Sequence, residues 1–129
     1  MVHHIELNVS SLSASKFFYA HFLPHLGYSL FQEWPEGFSY KLGSSYLVFV
    51  QTEKQFLQTS YHRKQTGLNH LAFHATSSEQ VDEMTRKMRQ LGARILYEDR
   101  HPYAAGPNTY AVFFEDPDRM KLEIVAPTN

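Results

Sequence analysis

The chain contains no cysteine. Disulfides and thiolate chemistry are thereby excluded, and any bound metal must be held by nitrogen and oxygen donors. No apolar run approaches the roughly 20 residues that span a bilayer, so no membrane partner is expected. The opening Met1-Val2-His3-His4-Ile5-Glu6 lacks the charged-then-apolar order of a secretory signal, so a cytoplasmic protein is the expectation. Nor does either sign of charge predominate: 12 Lys and Arg against 13 Asp and Glu give a formal net charge of −1. Without a basic stripe, nucleic acid is not an expected partner.

What is present suits a packed globular chain. Its 129 residues fit one domain, and 43% hydrophobic with 15% aromatic residues supply a core. Eight histidines are many for this length and point to metal or proton chemistry.

The chain also repeats itself. Val2–Val9 aligns with Leu68–Ala75, placing His4 on His70, and Ile5, Leu7 and Val9 on Leu71, Phe73 and Ala75. Both segments alternate with period two, as half-buried strands do. Each precedes a helix. Ser11 caps the first, which runs through Phe17, Phe18 and Phe22 and is ended by Pro24 and Gly27. Ser77 and Gln80 form a capping box for the second, whose apolar face is Val81, Met84, Met88 and Leu91 before Gly92 stops it. The Phe17-Phe18-Tyr19 cluster and the Met84 and Met88 pair read as core packing. Strand-like runs follow: Tyr28–Trp34, Phe38–Leu42 and Tyr46–Gln51 in the first half, Arg94–Glu98, Tyr110–Glu115 and Met120–Val125 in the second.

The expected fold class is α+β: two tandem βαβββ modules, about 1–51 and 68–129, forming a curved, half-open mixed sheet with helices outside. Together they make a single domain, joined by a polar linker over 52–67 that is expected to be functional or partly helical.

Alternation assigns the faces. Ile5, Leu7, Val9, Leu71, Phe73, Leu122 and Ile124 turn toward the helices. His4, Glu6, Asn8, His70, His74, Lys121 and Glu123 then share the opposite side, which is too polar for a core and suits a reactive cleft. His3 has the wrong parity and is read as a neighbour of His4. His21 and His25 fall on the surface, His62 and His101 in loops.

Several motifs together resemble the vicinal oxygen chelate superfamily of glyoxalase I, extradiol dioxygenases, fosfomycin-resistance thiol transferases and bleomycin-resistance proteins. They are His4 near the start of strand one, Gly67-Leu68-Asn69-His70-Leu71-Ala72-Phe73, and Glu115-Asp116-Pro117-Asp118 leading to Lys121-Leu122-Glu123-Ile124-Val125. The segments Tyr97-Glu98-Asp99-Arg100 and Pro102-Tyr103-Ala104 look most like a single-domain branch from bacillus-type bacteria. The resemblance implies one divalent ion (Fe, Mn, Ni, Co or Zn) on His4, His70 and Glu123. It places Val48 where glyoxalase I has a further carboxylate, which disfavours true glyoxalase I activity.

Two imidazoles and a carboxylate leave coordination positions open for a small oxygen-chelating substrate. The implied activity is dioxygenase, lyase or isomerase, or thiol-transferase chemistry. The alternative is a non-catalytic protein that binds and sequesters an antibiotic. Glu6 and His74 are the candidate proton-transfer residues. Tyr46, Arg100, Tyr103, Tyr110 and Lys121 are the candidate substrate contacts. A homodimer is expected because small modules of this kind close their surface by pairing.

Overall fold

The computed structural model describes residues 1–59 and 61–128. Two compact units divide the chain, Met1–Ser60 and Tyr61–Asn129, with the boundary inside the expected linker.

In the first unit, strand β1 (His4–Val9) buries Leu7 and Val9 and leaves His4, Glu6 and Asn8 exposed, as period-two alternation requires. Helix α1 (Leu12–Ala20) begins where the Ser11 hydroxyl accepts a hydrogen bond from the Ala14 amide at 3.3 Å. It stops earlier than the apolar spacing suggested. Pro24 cannot donate in a helical ladder, so Leu23–Leu26 tighten into a 3-10 turn that Gly27 closes at φ 97. Strands β2 (Ser29–Trp34), β3 (Gly37–Leu42) and β4 (Ser45–Gln51) follow. The sheet order is β1-β4-β3-β2, with β1 parallel to β4 and the other pairs antiparallel. A register shift between Leu30 and Gln32 bulges Phe31 out of the ladder.

The core of this unit is aromatic. Phe49 stacks on Phe38 with ring centroids 4.8 Å apart, and Tyr19 lies 4.2 Å from Phe49 on its other contact. Phe17 departs from the expected core cluster: it is 60% exposed and rests against His21, because the buried arc of α1 runs through Ser15, Phe18 and Tyr19. Gly37 is required by packing, since a Cβ there would lie 2.7 Å from the Phe49 carbonyl oxygen and inside the Trp34 ring.

The second unit repeats the pattern. Strand β5 (His70–His74), helix α2 (Ser78–Leu91), and strands β6 (Ile95–Leu96), β7 (Ala111–Glu115) and β8 (Lys121–Val125) form a sheet of order β5-β8-β7-β6, with β5 parallel to β8. Ser77 caps α2 by accepting from the Gln80 amide at 3.0 Å. The Gln80 side chain reaches back to the Thr76 amide at 2.7 Å, one residue earlier than a standard capping box. Val81, Met84 and Met88 are fully buried with Val112, Phe114, Leu122 and Ile124, and such side chains each contribute about 1.5–3 kcal/mol by leaving water.

Strand β6 is shorter than the expected run over 94–98 because Tyr97 adopts φ 57 and turns the chain out of the sheet. The segment before β5 holds a 3-10 turn at Lys54–Phe56, so the linker is partly helical. Farther on, Arg63 donates to Glu115 at 2.7 Å and ties residues of this segment to the second unit.

Candidate metal centre

The registers decide which side chains share a face. In the second unit His70 pairs with Lys121, Ala72 with Glu123, and His74 with Val125. On the other side of β8, Phe113 pairs with Glu123 and Ala111 with Val125. Directly paired residues point the same way, so His70, Lys121, Glu123, Phe113 and Ala111 line the face opposite α2.

On that face His70 Nε2 stands 3.1 Å from Glu123 Oε1. Glu123 is only 6% exposed, so its carboxylate is nearly dry. On the far side of the ring, His70 Nδ1 lies 2.7 Å from Asn69 Oδ1. An amide oxygen and a carboxylate both only accept, so both ring nitrogens face acceptors and a neutral imidazole can donate to just one of them. A cation between Nε2 and the carboxylate would satisfy both sides, with the proton on Nδ1 donated to Asn69. A separation of 3.1 Å also matches two adjacent donors on one ion, which at bonds of about 2.1 Å stand roughly 3 Å apart. Orientation of a ligand histidine through its other nitrogen is the usual support for such a site. The donor pair therefore fits a divalent metal.

The first unit holds the matching strand position. His4 pairs with Tyr46, and their rings stack 4.8 Å apart at 6°. His3 Nδ1 lies 2.8 Å from His4 Nδ1, so the neighbouring histidine touches the candidate ligand. Glu6 is exposed on the same face and pairs with Val48, which is buried. Val48 thus holds the register position in the first unit that Glu123 holds in the second. Among the described residues, no three His, Asp or Glu side chains gather into one metal-holding group.

The remaining candidates separate. Lys121 Nζ donates to the Tyr97 hydroxyl at 3.1 Å and lies 5.2 Å from the ring centroids of both Tyr97 and Phe113. Arg100 covers Tyr97 at 4.9 Å. His74 is exposed and borders a cavity of about 470 Å³ with Ala72, Val125 and Pro127. Tyr110 has the parity of the helix side. Its hydroxyl donates to Asp82 of α2 at 2.5 Å, and Tyr103 meets it edge-on at 5.7 Å, so these two tyrosines do not join His70 and Glu123. That bond, with burial, pushes the Tyr110 phenol up to about 12.

Sequence reasoning passed over Tyr97. Its ring meets Phe113 at 5.4 Å, and the hydrogen bond from Lys121 lowers its phenol below the usual value, aided by the charges of Lys121, Arg63 and Arg100. Alternation gave no sign of this, because the residue leaves the strand through a left-handed backbone.

The profile of the Glyoxalase/Bleomycin resistance protein/Dioxygenase superfamily matches residues 1–124. The chain belongs to this superfamily. Within it, the uncharacterised protein YqjT of Bacillus subtilis strain 168 is 56% identical over 127 residues, covering 98% of this chain and 99% of that one. A solved structure of a glyoxalase-like protein from Bacillus halodurans is 60% identical, covers 98% of this chain and 96% of that one, and superposes with a TM-score of 0.96. A solved structure that shares the fold is a mutant of the fosfomycin resistance protein FosX from Listeria monocytogenes, complexed with Mn(II) and 1S,2S-dihydroxypropylphosphonic acid. It is 22% identical with a TM-score of 0.72, covering 99% of this chain and 90% of that one.

Proposed function

We propose that this protein is a divalent-metal-dependent enzyme acting on a small substrate that chelates the ion through oxygen. The observation that carries the reading is the His70–Glu123 pair: two donors 3.1 Å apart, one nearly dry, with the imidazole oriented from behind by Asn69. His4, at the equivalent strand position, is the third ligand, supplied when the two modules pair within one domain or between two copies of the chain. FosX, which shares the fold, is complexed with Mn(II), and manganese is the first ion to test.

The bound ion would supply Lewis-acid stabilisation of an oxyanion or enolate on the substrate. The chain's own residues do the rest. Asn69 holds the proton on His70 Nδ1 and so keeps Nε2 available as a donor. Phe113 closes one side of the pair with an apolar ring 5.9 Å from His70, limiting water. Glu6, exposed beside Val48, is the carboxylate available for proton transfer in the first module. Valine at 48 offers neither ligand nor base, which turns the reading away from glyoxalase I and toward dioxygenase, other lyase or isomerase, or thiol-transferase chemistry. The setting is a cytoplasmic homodimer.

The test is metal content. Protein purified without chelator should carry about one divalent ion per site, and His70→Ala or Glu123→Ala should release it. Retention of the ion in both variants would overturn the site. Absence of any ion, with tight binding of an unmodified antibiotic, would favour sequestration. Mixing His4→Ala with His70→Ala protein distinguishes the pairings: ligands shared between chains regain metal on mixing, and ligands from one chain do not.

A further inference from the structure

Among the described residues, four of the second unit's nine Lys and Arg side chains form ion pairs. Arg63, Arg94 and Arg119 surround Glu115, and Arg89 pairs with Glu98. Lys121 and Arg100 are among the five without such a partner, and these two are drawn to one aromatic ring. Among the described residues neither has a carboxylate within ion-pair distance. Each lies over the Tyr97 ring instead, at 5.2 and 4.9 Å. Glu115 is the direct strand partner of Lys121, yet its carboxylate is taken by the arginines.

The backbone there is unusual too. Tyr97 sits at φ 57, a left-handed conformation that a bulky L-residue rarely adopts. Such conformations persist where the surroundings impose them, often beside functional groups. Here the turn brings the phenol against Lys121 Nζ and stacks the ring edge-on against Phe113. Phe113 is the shared floor: His70 lies 5.9 Å from its centroid and Lys121 Nζ 5.2 Å. Leu96 and Ala111 extend that floor as an apolar patch.

We propose that Lys121, Arg100 and the Tyr97 hydroxyl form a subsite for an oxyanion group, a phosphonate or carboxylate, beside the His70–Glu123 pair. The substrate class is then a small oxyacid, with its anionic end on the two cations and an oxygen a few bonds away directed at the metal donors. Tyr97 is a positioning residue. Its hydroxyl accepts from the ammonium and has its own proton to give to the bound anion, fixing where the charge of Lys121 is presented. The placement of the chelating end rests on the metal reading; the anion subsite does not.

The experiment therefore begins with metal-free protein, titrated separately with methylphosphonate and with acetate and followed by NMR. Saturable shifts centred on Tyr97 and Lys121 are expected. The tighter of the two probes identifies the preferred group. Lys121→Met and Arg100→Gln should each weaken binding at least tenfold without lowering the melting temperature, whereas Arg94→Gln should leave it unchanged. Tyr97→Phe should weaken it severalfold and move the probe's shifts away from Lys121. Absence of saturable binding in the wild-type chain, or unchanged affinity in both charge variants, would overturn the subsite. A second titration adds Mn(II) and 1S,2S-dihydroxypropylphosphonic acid. If the anion binds but manganese gives no further tightening, the metal reading fails while the subsite stands.

Discussion

Val48 faces Glu6 across the parallel β1–β4 pair at the step of the register where Glu123 faces Ala72 in β5–β8. The two modules thus carry a carboxylate on different strands at the same height: on the last strand in the second module, on the first strand in the first. Replacing Val48 with glutamate would put a carboxylate at both last-strand positions. In metal-free protein this buries an unpartnered charge at a site that is 5% exposed, and Val48→Glu should lower stability by about 2–4 kcal/mol. With manganese present the added donor should recover part of that loss, because an ion that binds only the folded state stabilises it. Melting curves with and without Mn(II) make the comparison. A manganese-induced shift no larger than in the wild-type chain would show that position 48 lies away from the metal.

Much of this arrangement was legible in the sequence, for a definite reason. Strand alternation is a local rule, so the exposed positions of His4, Glu6 and Asn8 and the buried positions of Leu7 and Val9 followed from parity alone. The internal repeat exposed the correspondence of His4 with His70, and the pairing registers carry it through to Val48 and Glu123. What parity cannot reveal is a backbone that leaves the strand. Tyr97 turns out of β6, so its contact with Lys121 depends on one dihedral angle rather than on spacing. Tyr110 shows the other limit. Its residue type, a phenol that can donate or line a pocket, suggests a substrate contact, whereas its hydroxyl is bound by a carboxylate on α2. Phe17 reads as core from its aromatic neighbours, yet it lies outside the buried arc of α1.

The Tyr110–Asp82 bond predicts a pH dependence. The protonated phenol donates to Asp82; an ionised one would face a carboxylate. The folded chain therefore holds this proton more tightly than the unfolded chain, in which a tyrosine ionises near 10, and the folded value is pushed up to about 12. The contribution to stability is complete below pH 10 and is lost as pH rises through about 12. Tyr110→Phe should lower stability at neutral pH by about 1 kcal/mol, the net worth of an ordinary hydrogen bond, and should flatten the alkaline decline. Urea midpoints from pH 8 upward, with phenolate absorbance recorded in parallel, provide the check. An alkaline slope identical in the two proteins would refute the assignment.

Glu115 is the anchor for three arginines. It is 5% exposed and accepts from Arg63 Nη1 at 2.7 Å and Arg119 Nε at 3.1 Å, with Arg94 Nε at 3.9 Å. Arg63 is itself largely buried, and its guanidinium also donates to the Arg119 carbonyl at 3.3 Å. Removing the carboxylate would leave a buried guanidinium without its counter-charge, a change that costs about 3–5 kcal/mol. Glu115→Gln keeps an acceptor and should cost less. Arg63→Ala leaves Arg119 to satisfy Glu115 and should be the mildest of the three. The effect should also be local. Arg63 ties the segment before β5 to the end of β7, so its release should loosen the already exposed backbone around Lys64 and let it fit a protease cleft. Limited trypsin digestion under native conditions should cut near Lys64 faster in Glu115→Ala than in the wild-type chain, even where urea shows both to be folded. Equal cleavage rates would mean that this segment is held by contacts other than the Arg63–Glu115 bridge.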